Sequence, residues 1–409
     1  MNPTSQTTKS KDKPIRVARA PIYLGADPES FFKLKGKIVG SEKIIPPNGT
    51  DKSGEGAVVR DGIQGELQIG GSYCREILAN HIAYAFRNLN QWLTDTKELS
   101  KTKIMISQQV EVTKAEMDSL SDNSKQLGCM PSLNIYNSKA TVGVDDPMNM
   151  RKRTGGGHIH IGCPNGFKVS ASDPVWKKLF RTEPQRVVQM LDIIAGNTCV
   201  LIDRDKGNIE RRKQYGRAGE YRLPSHGLEY RTLSNFWLQS YTLMSLATSL
   251  VRLAVSIVYS TEKHESTLEK EILELVNQED VTKAINENNF DLAKANFDKI
   301  KHILADAFKQ RKVTVQFYGV TSTEMRTDYV DPPFTTKNLA KFEHFIAKTK
   351  SKGLKYWQKE ELKDPMLYWL KRIGVATAPK PQYGWESFLS NVVAKDYQKK
   401  NKTEGDLTI

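Results

Sequence analysis

Cysteine is scarce in this 409-residue chain: four residues, at 74, 129, 163 and 199, form no C-x-x-C pair and no small-domain framework. That excludes a disulfide scaffold and reads as reduced, mostly buried thiols in a cytoplasmic protein. No G-x-x-x-x-G-K-[ST] loop occurs and no G-x-G-x-x-G follows a strand, so neither a P-loop nor a dinucleotide fingerprint is available. No local signature points to a serine or cysteine triad. Met1 to Ala20 is polar without an apolar core, which reads as neither a signal peptide nor an anchor. The longest apolar stretch, Phe236 to Tyr259, is interrupted by Gln239, Arg252 and several hydroxyl residues, so a buried core helix is expected rather than a membrane span.

Basic charge, by contrast, is abundant. Lys and Arg number 61 against 47 acids, a net charge of +14, which suits an anionic partner such as nucleic acid, nucleotide or an acidic surface. Part of this excess lies in residues 1 to 20, five basic against one acidic, which read as a disordered tail. Hydrophobic residues at 38% and charged residues at 26% describe a soluble globular protein with a large core, in one large domain or two ordinary ones.

The densest chemistry lies between Thr154 and Trp237. In Gly155-Gly156-Gly157-His158-Ile159-His160-Ile161-Gly162 the polar and apolar residues alternate, and alternate side chains of a strand project to opposite faces. His158 and His160 then share one face, with Ile159 and Ile161 on the other. Glu229 and Arg231, in Gly227-Leu228-Glu229-Tyr230-Arg231, have the same spacing and predict a second strand. From Arg204 to Arg222 seven Lys or Arg face three acids. Such a run is commonly solvated surface. Between two metal-capable strands it suits phosphate, because guanidinium offers a planar fork of donors and keeps its charge.

Upstream, Ile22 to Phe32 reads as a strand running into Asp27 and Glu29, with Pro28 marking an edge, bulge or strand end. Residues 40 to 57 read as a loop or a hairpin tip. Asp61-Gly62 predicts a turn between two strands, the second carrying Glu66 with Gln64 and Gln68 on its face. A helix is expected from Ser72, as its N-cap, to about Leu99, with His81 structural. A strand is expected over Lys103 to Val110, a capping box at Thr113 to Glu116, and a turn and strand over Gly128 to Tyr136. Thr182 to Val200 reads as a helix with Pro184 in its first turn. After Arg231 the pattern is mainly helical: Phe236 to Ser260, a helix opened by a Ser266 to Glu269 capping box, Phe290 to Lys312 and Thr336 to Lys352, then a polar tail from Pro379 onward. The fold class is α+β in one domain with a helical C-terminal region.

Asp27, Glu29, Glu66, His158, His160 and Glu229, with Arg212, Arg217, Arg222 and Arg231 around them, favour a hard divalent ion, Mg²⁺ or Mn²⁺, over zinc. Cationic side chains beside such ions match phosphoryl transfer. The competing readings are a zinc-dependent hydrolase using His158 and His160, and a non-enzymatic basic protein binding nucleic acid. The first lacks a third His or Cys. The second is permitted by charge but has no basic-aromatic repeat.

Gly25-Ala26-Asp27-Pro28-Glu29, Asp61-Gly62 with Glu66, Gly156 to Gly162, Tyr215-Gly216-x-x-Gly219-x-Tyr221-Arg222 and Gly227 to Arg231 together resemble, in this order, the phage and bacterial carboxylate-amine ligase (amidoligase) type 2 family of the glutamine synthetase-like superfamily. The resemblance spans residues 22 to 238. It implies a curved antiparallel sheet whose concave face holds ATP and two or three divalent ions, over residues 21–238. A helical region, 239–395, would pack on the same domain, before a polar tail, 396–409. By this resemblance Asp27, Glu29, Glu66, His158 and Glu229 are metal ligands, and His160, Arg217 and Arg231 contact nucleotide. Arg212, Arg222 and Arg231 are catalytic, neutralising phosphate or holding the substrate carboxylate. The expected substrates are ATP, a carboxylate and an amine. A homo-oligomer, no membrane and a host cytoplasm for a phage protein are implied too. The sequence departs from the family where Met130 and Ser132 flank Pro131 and where Leu67-Gln68 follow Glu66.

Overall fold

The computed structural model describes residues 17–126, 131–137, 146, 148–164, 168–307, 310–317, 320–327, 333–357, 364–373 and 384–405. The turn expected at Gly128 and the tail residues 1–16 and 406–409 lie outside the described residues.

The architecture is mixed α/β, built on a 10-stranded sheet in which every pairing is antiparallel. In chain order its strands are β1 (Tyr23–Ala26), β2 (Glu29–Leu34), β3 (Lys37–Val39), β4 (Gly56–Asp61), β5 (Gln64–Ser72) and β6 (Thr102–Met105). After a separate pair, β7 (Gln109–Glu111) with β9 (Lys152–Thr154), come β8 (Leu133–Asn134), β10 (Ile159–Gly162), β11 (Glu220–Arg222) and β12 (Gly227–Tyr230). The spatial order is β3-β2-β5-β1-β10-β12-β11-β8, with β4 on β5 and β6 on β2, and the sheet does not close into a barrel.

Alternation decides what each face does. Ile159, Ile161, Leu228 and Tyr230 are all at or below 1% exposure and belong to the main core. Burying a side chain of this kind contributes about 1.5–3 kcal/mol, so a charge at Ile161 would unseat β10. The residues between them, His160 and Glu229, face the opposite way. Asp61 and Gln64 close the predicted β4–β5 hairpin, with Gly62 at φ +55°, a backbone region glycine enters at little cost. Pro28 separates β1 from β2, and its carbonyl accepts from Leu67 N.

The helices cover the apolar side. Arg75–Asp95 packs on β4 and β5, and Tyr241–His264 packs on Pro184–Leu191, which starts with the expected proline. Tyr241–His264 is long and apolar enough to cross a membrane, yet its apolar window is 100% buried within the protein. Cys163 and Cys199 are buried, whereas Cys74 is exposed.

Several local expectations are corrected. Ser72 does not cap a helix. Gly70 and Gly71 keep β5 extended through Ser72, whose Oγ accepts from Cys74 N as the helix begins at Arg75. The strand expected over Lys103 to Val110 is two, β6 and β7, parted where Gln108 turns to donate to Asp203. Thr113 and Glu116 form their capping box, but Glu269 forms none because both its oxygens accept from Arg186. The helix expected to reach Lys312 ends at Asp306. Beyond it β13 (Gln310–Phe317) and β14 (Val320–Thr327), rich in β-branched residues, form a hairpin. The stretch read as a polar tail includes Trp385–Phe388, with Trp385 and Leu389 fully buried, and a helix from Ala394 to Gly405 tied down where His344 and Tyr356 bond Asp396.

Candidate metal and phosphate site

The open face of the sheet gathers the acids. His160 on β10 sits opposite Gly25 on β1 and Glu229 on β12, and Glu229 sits opposite Arg222 on β11, so one row crosses four strands. On the other side of β1, Glu29 and Glu66 face each other across β2 and β5. Asp27 lies just after β1, where its N–H donates to the His158 carbonyl.

His158 Nδ1 stands 3.5 Å from both Asp27 Oδ1 and Glu229 Oε1. These separations exceed an N–H···O bond, and they suit donors around a shared ion, which sit about 3 Å apart on an octahedron with bonds near 2.1 Å. Asp27 Oδ1, His158 Nε2 and Glu229 Oε1 are buried without a hydrogen-bond partner. Asp27, His160 and Glu229 also bring one ligand atom each within 4.8 Å of one another. His160 Nε2 approaches Asp27 Oδ2 at 3.1 Å while its Nδ1 meets His226 Nε2 at 3.1 Å. Both its ring nitrogens are therefore engaged by protein.

Glu29 is held differently. Its Oε2 accepts from Gln64 Nε2 at 2.6 Å, Gly156 N at 2.7 Å and the Tyr215 hydroxyl at 2.6 Å. The glycines before His158 allow this contact with the next strand. A Cβ at Gly156 would come within 2.5 Å of His158 Nε2, and one at Gly157 within 2.2 Å of the Ser234 carbonyl.

The electrostatics follow from crowding. Burial, then the charges of Asp27, Asp61 and Glu29, push the Glu66 carboxyl up to about 9. Burial and the charges of Glu29 and Asp27 push Asp61 up to about 7. Burial would also raise Asp27, but the His160 and His158 imidazoles overcome it and hold this carboxyl well below its usual range. His160 is raised in turn, because Asp27 outweighs the opposing effect of burial. A face whose crowded, buried acids raise two of its carboxyls is chemically disposed to take a cation.

The basic run divides. Arg231 is buried with its Nε 3.1 Å from Glu229 Oε1, and its guanidinium donates to Ser132. Arg222 Nη1 lies 3.6 Å from Glu229 Oε2. Arg212 is turned into the core, where it donates to Asn288 and burial, then Arg211, lower it to about 9. Arg217 donates to the carbonyls of Arg212 and Lys213, closing the end of the Gly207–Gln214 helix. The sheet thus assembles Asp27, Glu29, Glu66, His158, His160, Glu229, Arg222 and Arg231, and leaves Arg212 and Arg217 apart from them.

Asp61, Gln64, Tyr215 and His226 join the face without having been singled out. Asp61 and Tyr215 stood in the motifs that carry the resemblance but without a role, and alternation put Gln64 beside Glu66. A cleft of about 550 Å³ opens here, lined by Asp27, Glu66, Gln68, His160, His226 and Tyr23 among others. That volume is of ligand size.

Residues 180–329 match the family described as phage phiEco32-like COOH.NH2 ligase-type 2, the carboxylate-amine ligase family that the ordered motifs resemble. The matched stretch contains Tyr215, Arg222, Glu229 and Arg231; Asp27, Glu29, Glu66, His158 and His160 precede it. No curated protein and no solved structure matches the chain.

Proposed function

We propose that the protein is an ATP-dependent carboxylate-amine ligase of the glutamine synthetase-like type, working with Mg²⁺ or Mn²⁺ on the open face of the sheet. The observation that carries this reading is the buried convergence of Asp27 Oδ1 and Glu229 Oε1 on His158 Nδ1 at 3.5 Å, beside Arg231. Asp27, His158 and Glu229 would hold one ion, and Glu29, Asp61 and Glu66 a second. Bound there, divalent ions supply charge neutralisation for a transferring phosphoryl group.

The chain's own residues do the rest. Arg231 and Arg222 lie where anionic oxygens would approach the metal ligands, and their forks suit phosphate or carboxylate. In the reaction a substrate carboxylate oxygen bonds to the γ-phosphorus of ATP as ADP leaves. An amine nitrogen then bonds to the acyl carbon as phosphate leaves, and the nitrogen loses a proton. Binding within the cleft excludes water from the acyl phosphate. The same reading puts the enzyme where ATP is, in the cytoplasm, that of a host cell if a phage encodes it.

Thermal midpoints with Mg²⁺, a non-hydrolysable ATP analogue, zinc and duplex DNA, singly and in pairs, test this. A Mg²⁺-dependent rise with the analogue, absent from Glu229→Ala, is the expected result. Stabilisation by zinc or DNA with no nucleotide effect would overturn the reading.

A further inference from the structure

Glu29 is fastened by several hydrogen-bond donors, and all of them fall on the same oxygen. Oε2 receives Gln64 Nε2, Gly156 N and the Tyr215 hydroxyl, each at 2.7 Å or less. A carboxylate oxygen has two lone-pair directions, so three donors exhaust it and leave Oε1 as the atom able to meet a cation.

Two of the three donors are side chains from distant parts of the chain, and Tyr215 touches more than Glu29. Its ring meets His158 edge-on with centroids 5.7 Å apart. The guanidinium carbons of Arg231 and Arg211 each lie 5.6 Å from its centre. Gly156 makes this approach possible, since a Cβ there would stand 3.0 Å from the Tyr215 ring. One side chain thereby contacts a carboxylate, an imidazole and an arginine of the site.

We infer that Tyr215, with Gln64, is a positioning residue that fixes Glu29 as a single-oxygen metal ligand and sets it in register with His158 and Arg231. This rests on the ligase reading above. Partners that orient a ligand are commonly worth about 10–100-fold in metal affinity. Removing only the hydroxyl, in Tyr215→Phe, takes one of the three donors from Oε2 and lets the carboxylate swing, while the ring keeps its contacts.

The test is Mn²⁺ binding to the full chain by electron paramagnetic resonance, with the metal-free thermal midpoint measured alongside. Wild type should bind Mn²⁺. Tyr215→Phe should bind about tenfold or more weakly, with a changed Mn²⁺ spectrum that a purely structural role would not produce. Gln64→Met, which removes another donor from the same oxygen, should weaken binding in the same direction and decides the matter if Tyr215→Phe fails to fold. Wild-type affinity and spectrum in the folded variants would overturn the inference and leave the ligase reading standing. No Mn²⁺ binding by wild type would overturn both.

Discussion

Two buried acidic centres of this protein are provided for in opposite ways. Around Asp203 the two carboxylate oxygens accept from Gln108, Asn208 and Ser234 at 2.5–2.9 Å, tying the chain before β7 to the Gly207–Gln214 helix and the segment after β12. Around Asp27 and Glu229, oxygens just as thoroughly removed from water have no hydrogen-bond partner. A buried acceptor without a hydrogen bond costs about 1–3 kcal/mol, so the first centre is satisfied by neutral donors, whereas the second holds its acids against imidazole and guanidinium and keeps acceptor capacity for a cation. The difference teaches that burial alone does not mark a functional acid. What sets this one apart is several buried acids crowded together, with an acceptor left over after their ion pairs.

The sharpest way to break this comparison is to delete one acid from each centre. Asp203→Ala should destabilise the fold by about 3 kcal/mol or more, since three buried donors lose their acceptor, as chemical denaturation would record. Glu229→Ala should abolish Mn²⁺ binding, measured by calorimetric titration, and lower the metal-free midpoint by less than Asp203→Ala does, since the buried Arg231 guanidinium loses one partner but keeps Ser132. Equal loss of stability in both would remove the distinction.

Acidity sharpens it next. Asp61 and Glu66 are held above their ordinary values, so the folded metal-free protein binds protons there that the unfolded chain has released. Their contribution to stability is complete below about pH 4 and is lost as pH rises through about 7 and about 9. Metal-free midpoints should fall across that window, and the rise produced by Mg²⁺ should grow across it as ions replace protons. A metal-free midpoint independent of pH from 5 to 9 would contradict the assignment, where about two protons are at stake.

Smaller effects separate neighbouring residues of one type. His158→Gln should weaken Mn²⁺ binding by about 10–100-fold, and His160→Gln by less, because His160 is already engaged by Asp27 and His226. Arg231→Lys should weaken binding of the ATP analogue by about tenfold through loss of the fork, whereas Arg217→Ala should change it by less than about twofold. A large nucleotide effect at Arg217 would show that its helix-closing role is not its main one.

The sequence disclosed the part of the site that depends on local period. Two-residue alternation was enough to put His158 beside His160 and Glu229 on one face, and Asp61-Gly62 was enough for the β4–β5 hairpin. It did not disclose what depends on rotation or distance. The run from Arg211 to Arg217 carries four basic residues and no acid, yet the Gly207–Gln214 helix buries Arg211 and Arg212, and the turn at Gly216 sends Arg217 back to the helix end. Tyr215 reaches Glu29 across 186 positions, a contact with no local signal. The C-terminal third was read by helical period, which overlooked β13 and β14 because β-branched runs there are short. It also overlooked the buried Trp385 because polar residues outnumber apolar ones around it.

The most direct test is a crystal of the protein soaked with Mn²⁺, with anomalous scattering recorded at the metal edge. The account predicts a peak bounded by Asp27, His158 and Glu229. A peak elsewhere, with water filling that space, would contradict it.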